Sequence, residues 1–375
     1  MLKRIRIENY RSIGEVDVEL GPLTVLVGQN GSGKTNFVDA IHFLSDALTY
    51  GLDAAVMRRG GLKTLRRWSP HRPRNVAFEV EVGSEDGAVQ AHYTLALRSE
   101  AAGEHSVKRE ALSATAWDVT TEFEALDGKV VHSSLDPKFG KPEGRPGLLL
   151  APLWPDLPCS LFTSNMRHMG FYSIFPDALR EPQSPGMDHP LETHGHNLTS
   201  VLRKVQRDAP ASLAEVRKAL AALLPRVRDI QIAGVGGYEY VKFQHEEPDA
   251  RRHWLDSKQM SDGTLRMLGI LTALYQEPAL SLVAIEEPEL TVHPGMLAVL
   301  RDVIAEASQK RSQVIITTHS PDLMNLFDVD VLRVVEMTDG GTKIGPVAQY
   351  QREAVRENLF LPGELARIEG LVRAQ

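Results

Sequence analysis

The stretch Gly28-Gln29-Asn30-Gly31-Ser32-Gly33-Lys34-Thr35 follows the apolar run Leu23-Thr24-Val25-Leu26-Val27 and leads into Phe37, Ile41, Leu44 and Leu48 at helical spacing. Strand, glycine-rich turn and helix in that order are the setting a phosphate-binding loop requires. The glycines let backbone N–H groups curl around phosphate oxygens, and the N-terminus of the next helix favours an anion. Lys34 is placed to reach the β- and γ-phosphates, Thr35 to hold Mg²⁺, and Gly28, Asn30, Gly31, Ser32, Gly33 and Asn36 to line the rest of a nucleotide site. The stretch therefore predicts an α/β P-loop fold that binds a nucleoside triphosphate. An ordinary strand-to-helix turn is the alternative. The loop alone does not name a reaction, because kinases, GTPases, helicases and transport ATPases share it.

Composition sets the outer bounds. With 375 residues, 42% of them hydrophobic, the chain can build one large domain or two to three lobes around a sizeable core. A net charge of −7 gives no global attraction to nucleic acid, so any such contact must come from a local basic surface. The single cysteine, Cys159, cannot pair within the chain and reads as a core residue, which suits a reducing cytoplasm. The opening Met1-Leu2-Lys3-Arg4-Ile5-Arg6-Ile7 alternates charged and apolar residues, as a first strand does and a signal peptide does not. No apolar run approaches the ~18 residues of a membrane-spanning helix, so no membrane partner is expected.

Along the chain, Ile5–Ile7, Val16–Leu20 and Leu23–Val27 read as strands, and a helix follows to about Thr49. Residues 76–131 alternate with period two, which predicts an antiparallel β-lobe inserted into the nucleotide domain. Residues 134–158 carry six prolines from Pro137 to Pro158 and predict a loop or an ordered excursion. Leu198, Val201, Leu202 and Val205, then Leu213, Val216, Leu220 and Leu223, predict a helical hairpin divided at Ala209-Pro210. The expected division is 1–75 for the loop-bearing part of the ATPase lobe, 76–165 for the inserted β-rich region, 166–226 for a helical lobe, and 227–375 for the rest of the core.

A second set of chemical residues lies in that last part. Leu282-Val283-Ala284-Ile285 is a buried-type strand that ends in Glu286-Glu287-Pro288-Glu289. An acidic pair at such a strand end is the expected second metal element: Glu286 would hold Mg²⁺ and Glu287 would polarise the attacking water. A solvated charge cluster is the alternative. His319 ends the apolar run Val314–Thr318, and Ser320-Pro321-Asp322 then predicts a helix cap with proline in the first turn. Upstream, Ser261 precedes Asp262-Gly263-Thr264 and a helix carrying Leu265, Leu268, Leu271 and Leu274, so it reads as a cap that can also bind an anion.

The order of phosphate loop, long insertion, Ser-Asp-Gly-Thr helix, double-glutamate strand and strand-terminal histidine resembles the ABC-type ATPase heads of the SMC, RecF and OLD (overcoming lysogenization defect) group. The runs Ile7–Ile13, Phe171–Pro176, Gly195–Leu198, Leu282–Pro294 and Thr317–Pro321 look like its short single-chain ATPases. The resemblance implies that Ser261 and Gly263 form a signature element contacting the γ-phosphate held by a second copy, so that a homodimer forms on ATP binding. It makes His319 a γ-phosphate-sensing switch histidine, and Lys34 and Glu287 its catalytic companions. It sets Arg11 and Ser12 where the base and sugar are approached, and Gln183 is the candidate metal-contacting Q-loop glutamine. Asp262 and Thr264 stand where transporter heads carry glycines, and Glu286 stands in place of the common aspartate.

SMC-type heads carry a long coiled coil and OLD-type proteins a nuclease domain. Residues 320–375 are too few for the latter, so no intrinsic nuclease activity is expected, and a separate effector, a nuclease or a toxin, is. Arg58, Arg59, Lys63, Arg66, Arg67, Arg72 and Arg74, interleaved with Trp68 and His71 and free of acids, suggest a strip for duplex DNA, with a solvated basic loop as the alternative. His189, His194 and His196 lie close in sequence but without the cysteine or carboxylate spacing of a zinc site. Three readings stand: an ATP-hydrolysing head in DNA repair or defence against foreign DNA, an ATP-gated scaffold for a toxic partner, and a transporter subunit.

Overall fold

In the computed structural model, residues 1–68, 75–99, 105–134, 148, 157–186 and 189–374 are described. The N-terminal alternation forms β1 (Leu2–Tyr10), β2 (Ile13–Glu19) and β3 (Leu23–Val27), followed by α1 (Lys34–Tyr50), α2 (Leu52–Arg58) and α3 (Leu62–Leu65). The period-two region forms β4 (Val76–Gly83), β5 (Val89–Ser99), β6 (His105–Ala116), β7 (Val119–Leu126) and β8 (Lys129–Ser133). Next come α4 (Leu157–Arg167), β9 (Met169–Tyr172), α5 (Pro176–Arg180), and the hairpin α6 (Leu198–Asp208) and α7 (Pro210–Leu223). A three-stranded sheet of β10 (Val227–Val235), β11 (Tyr238–Glu246) and β12 (Arg252–Asp256) leads to α8 (Asp262–Tyr275). The remainder is β13 (Leu282–Glu286), α9 (Leu297–Lys310), β14 (Gln313–Thr318), α10 (Pro321–Met324), β15 (Leu332–Thr338), β16 (Gly341–Pro346), α11 (Gln349–Arg356) and α12 (Pro362–Ile368).

Among the described residues one large sheet runs β8-β7-β6-β5-β4-β1-β2-β16-β15-β3-β14-β13-β9. Its β9-β13-β14-β3-β15 end is parallel, and its β4-to-β8 end is antiparallel. The inserted lobe is hydrogen-bonded onto β1 through β4, with Ile5 opposite Val80, so it extends the nucleotide-domain sheet. Central parallel strands are covered on both faces and read as continuous apolar runs. Their side chains sort by period two: Leu26, Ala284 and Ile315 pack with Phe37, Phe43 and Phe162 of α1 and α4, while Val25, Val283, Val314 and Ile316 pack with α6 to α9. Cys159 is fully buried in the first of these layers, as expected of a core thiol.

The proline-rich loop expectation falls mainly on 135–147 and 149–156, which lie outside the described residues; its last residues begin α4. Elements β12, β16 and α11 are additions to those expected from the sequence. The last is polar on most faces, with Gln351 its buried residue.

Candidate nucleotide site

Register brings the chemistry to one edge of the sheet. Thr318 of β14 lies opposite Val27, Glu286 of β13 lies opposite Thr317, and Tyr172 of β9 lies opposite Ile285. Gly28, Glu287, His319 and Ser173 consequently leave the sheet side by side, at the carboxyl ends of parallel strands where ligands bind in such folds. Between them lies a cleft of about 470 Å³ walled by Asn30 to Asn36, Ser173, Phe175, Arg266, Glu286, Glu287, Leu290 and Thr317.

The loop has the conformation its glycines permit. Gly31 and Gly33 sit at φ 78° and 107°, and a methyl group on Gly33 would lie 2.1 Å from Thr342 Oγ1. Ser12 Oγ stands 2.7 Å from Thr342 Oγ1 and accepts from Asn36 Nδ2 at 2.6 Å, so the β1–β2 turn braces the start of α1. Lys34 Nζ donates to the carbonyls of Gly28 and Gln29 at 2.7 and 3.0 Å. Burial lowers its pKa, and the carboxylates of Glu287, Glu289 and Glu286 pull the other way. Ser32 Oγ is buried without a hydrogen-bond partner, an orphan of the kind a phosphate oxygen satisfies.

Opposite the loop, Glu286 and Thr35 line the same cleft. Burial raises the pKa of Glu286, the nearby Thr35 hydroxyl opposes the rise, and Glu287 adds to it. A half-buried carboxylate in one cleft with the helix-start threonine fits a hard cation with oxygen ligands. Glu287 takes φ 44°, its N–H donates to Thr317 O at 3.0 Å, and its Oε1 accepts from His319 Nδ1 at 2.8 Å. This pairing puts the proton on Nδ1 of the imidazole.

Two residues to which the sequence analysis gives no role shape this corner. Arg266 of α8 is buried and donates to Ile174 O at 2.7 Å, Glu286 O at 3.1 Å and Glu287 O at 3.0 Å, so one guanidinium clamps the backbone on both sides of the cleft. Burial lowers its pKa, with Glu289 and Glu287 opposing. Its sequence signal is a lone charge inside the apolar run Leu265–Leu271. Glu289 is buried, accepts a hydrogen bond from Thr318 Oγ1, and has its other carboxylate oxygen unpartnered.

A family described as "AAA domain, putative AbiEii toxin, Type IV TA system" matches residues 23–325. The chain belongs to this family. The OLD nuclease of Thermus scotoductus is 24% identical over 378 residues, which cover 94% of this chain and 65% of that protein. The DNA replication and repair protein RecF of Corynebacterium jeikeium is 42% identical over 62 residues, 16% of this chain and 15% of RecF. The chain thus spans under two thirds of these relatives' lengths. An Smc head bound to the C-winged helix domain of ScpA shares the fold at a TM-score of 0.58 and 16% identity, covering 94% of this chain and 99% of that one. A Pyrococcus furiosus Smc head does so at 0.56 and 13%, covering 96% and 99%. The chain's fold is that of the ABC-type ATPase heads of the SMC, RecF and OLD group.

Within that head, Ser261 caps α8 by accepting from Thr264 N at 3.2 Å, and it is exposed. A methyl group on Gly263 would lie 2.5 Å from Thr291 O, so glycine lets α8 seat on the turn after β13. Neither residue lines its own chain's cleft. Three expectations are corrected. Gln183 is buried away from Thr35 and Glu286: its amide donates to Ala178 O and Gly195 O and accepts from Thr199, so it is spent on holding the loop before α6. Arg11 turns to an ion pair with Asp39 at 3.0 Å in a neighbouring cavity, leaving Ser12 alone beside the loop. The basic strip is not uniform. Arg59 is buried between Asp39 and Asp46 at 2.9 and 2.7 Å, and Arg58 pairs with Asp46 at 3.2 Å. Lys63 is exposed, Arg66 and Arg67 are half-buried, Trp68 is exposed, and Arg72 and Arg74 lie outside the described residues. His194 stacks flat on Phe175 at 4.2 Å and bonds Ser173 O at 2.8 Å, a packing role beside the cleft. No helix among the described residues is long and apolar enough to cross a membrane.

Proposed function

We propose that this chain binds ATP with Mg²⁺ in the cleft above Gly28–Thr35 and hydrolyses it to ADP and phosphate. The observation that carries the reading is the Glu287–His319 pair, 2.8 Å apart on adjacent strand ends across from Lys34. Lys34 exchanges its two carbonyl partners for phosphate oxygens, and Ser32 gains the partner it lacks. Glu287 accepts the proton of the attacking water, and His319 holds the carboxylate in line through Nδ1. Arg266 fixes the carbonyls from which Glu286 and Glu287 project. Mg²⁺, held by Thr35 and Glu286, would neutralise charge on the β- and γ-phosphates.

The site is completed in this proposal by Ser261 and Gly263 of a second copy, giving a head-to-tail homodimer around two ATP. The exposure of Ser261, and the absence of both residues from the cleft of their own chain, support it. The cycle serves DNA repair or defence against foreign DNA, with duplex DNA on the exposed part of the basic strip and a separate effector, nuclease or toxin. The names of the OLD and RecF relatives support the link to DNA. A second reading, an ATP-gated scaffold that hydrolyses slowly and regulates a toxic partner, draws on the toxin named in the family description.

Light scattering of wild type and Glu287→Gln, with and without ATP and Mg²⁺ and with duplex DNA, tests the mechanism. Glu287→Gln is expected to retain ATP and to persist as a dimer. An ATP-loaded Glu287→Gln that stays monomeric overturns the two-site arrangement. DNA that alters neither the dimer nor turnover favours the scaffold reading.

A further inference from the structure

A second set of ligating side chains gathers on the small sheet. Antiparallel register sets His245 of β11 directly opposite His253 of β12, and Glu247 lies two residues beyond His245, on the same face of the hairpin. The turn is closed by Glu247 N donating to Arg251 O at 2.8 Å, with Ala250 at φ 63°. Glu247 Oε1 is 3.8 Å from both His245 Nδ1 and His253 Nε2, and one ligand atom from each of the three lies within 4.8 Å of the others. These separations are too long for hydrogen bonds, and the buried Nδ1 of His245 has no hydrogen-bond partner.

We propose that His245, Glu247 and His253 form a transition-metal site of the zinc type. Zinc bonds of roughly 2.0–2.2 Å in tetrahedral geometry hold neighbouring ligand atoms about 3.3 Å apart, so each histidine must close on Glu247 by about 0.5 Å and the two imidazoles on each other by at most about 1.5 Å, movements within reach of side-chain rotation at a hairpin end. Two imidazole nitrogens and one carboxylate oxygen suit Zn²⁺, whereas Mg²⁺ prefers oxygen ligands throughout. Nearby charges are already engaged: Arg228 and Arg252 bond Glu246 at 2.9 and 2.8 Å, and Arg251 bonds Asp249 at 2.7 Å. Three protein ligands leave a fourth position for water on the side of the half-exposed His253. The metal would staple β11 to β12, the strand that runs on through Ser257–Gln259 to Ser261 and α8. None of the three residues lines the nucleotide cleft, so this site is separate from that of Mg²⁺.

The test uses the full chain without an affinity tag, stripped of metal and titrated with Zn²⁺ alone against a chromogenic chelator, with Co²⁺ as a spectroscopic probe. One Zn²⁺ per chain is expected, with the intense visible bands of tetrahedral Co²⁺ and a Zn²⁺-dependent rise in melting temperature. His253→Ala and the near-isosteric Glu247→Gln should each weaken binding by about tenfold or more, since even outer-sphere losses cost that much. His194→Ala should bind as wild type does. Failure of the wild type to hold Zn²⁺ against the chelator, or wild-type affinity in the two hairpin variants, overturns the proposal.

Discussion

Glu287 has a backbone that few non-glycine residues adopt, and the surroundings that hold it there are visible: Thr317 O accepts its N–H and Arg266 takes its carbonyl. That conformation turns the carboxylate toward His319. If Glu287 is the base, Glu287→Gln lowers turnover by about 10²–10⁴-fold while ATP binding, read by calorimetry, persists. Arg266→Met removes the donor from three carbonyls and should cost about 2–4 kcal/mol in urea unfolding, well above a surface change. Glu289 supplies a pH test. Burial raises its folded pKa above the ordinary 4.5, so the neutral carboxyl's stabilising contribution is full below 4.5 and is lost as pH rises through the folded value. The stability of Glu289→Gln relative to wild type should therefore improve with rising pH. A pH-independent difference in urea midpoints would assign the titration elsewhere.

Among the elements, α8 joins two parts of the proposed mechanism, because the proposed signature lies at its start and its second turn carries Arg266. Ser261→Ala loses a cap worth about 1 kcal/mol, whereas Ser261→Asp keeps a good cap and brings a negative charge to the exposed face. If Ser261 meets the γ-phosphate of a second copy, Ser261→Asp abolishes ATP-dependent dimerisation with near-normal thermal stability. A dimer that forms normally would restrict Ser261 to capping. In the loop before α1, Gly33→Ala must keep φ at 107° and push Thr342 aside. Backbone strain of roughly 1–3 kcal/mol predicts ATP binding about 5- to 150-fold weaker.

At the scale of the whole molecule, basic residues divide by environment. Arg59 neutralises two aspartates inside the fold, so Arg59→Ala should destabilise the chain, while Lys63→Glu with Arg67→Glu should leave stability near wild type. If duplex DNA lies on this surface, the double charge reversal lowers its affinity and flattens its salt dependence in anisotropy titrations. An unchanged affinity removes the strip from the proposal. The phosphate loop, both glutamates, His319 and the caps at Ser261 and Ser320 were legible because each is a local pattern: a turn chemistry, a strand end or a cap. Gln183 misled because its residue type fits a metal contact, and only the fold shows its amide consumed by the loop around it. Likewise, the seven basic residues of the strip look alike until α1 brings Asp39 and Asp46 against Arg59 and Asp46 against Arg58.

By itself, then, the sequence determined the α/β class, many of the strands and long helices, and the chemical groups at the strand ends around the phosphate loop, since periodicity and capping act over a few residues. Tertiary structure decided which of those groups meet. The parallel register of β3, β14, β13 and β9 aligns Gly28, His319, Glu287 and Ser173 at one edge. Burial turns Arg59 and Arg266 into internal clamps, and one hairpin brings His245, Glu247 and His253 together. Such contacts depend on packing between distant segments, whose energy is shared over the whole core and leaves no local mark on the chain.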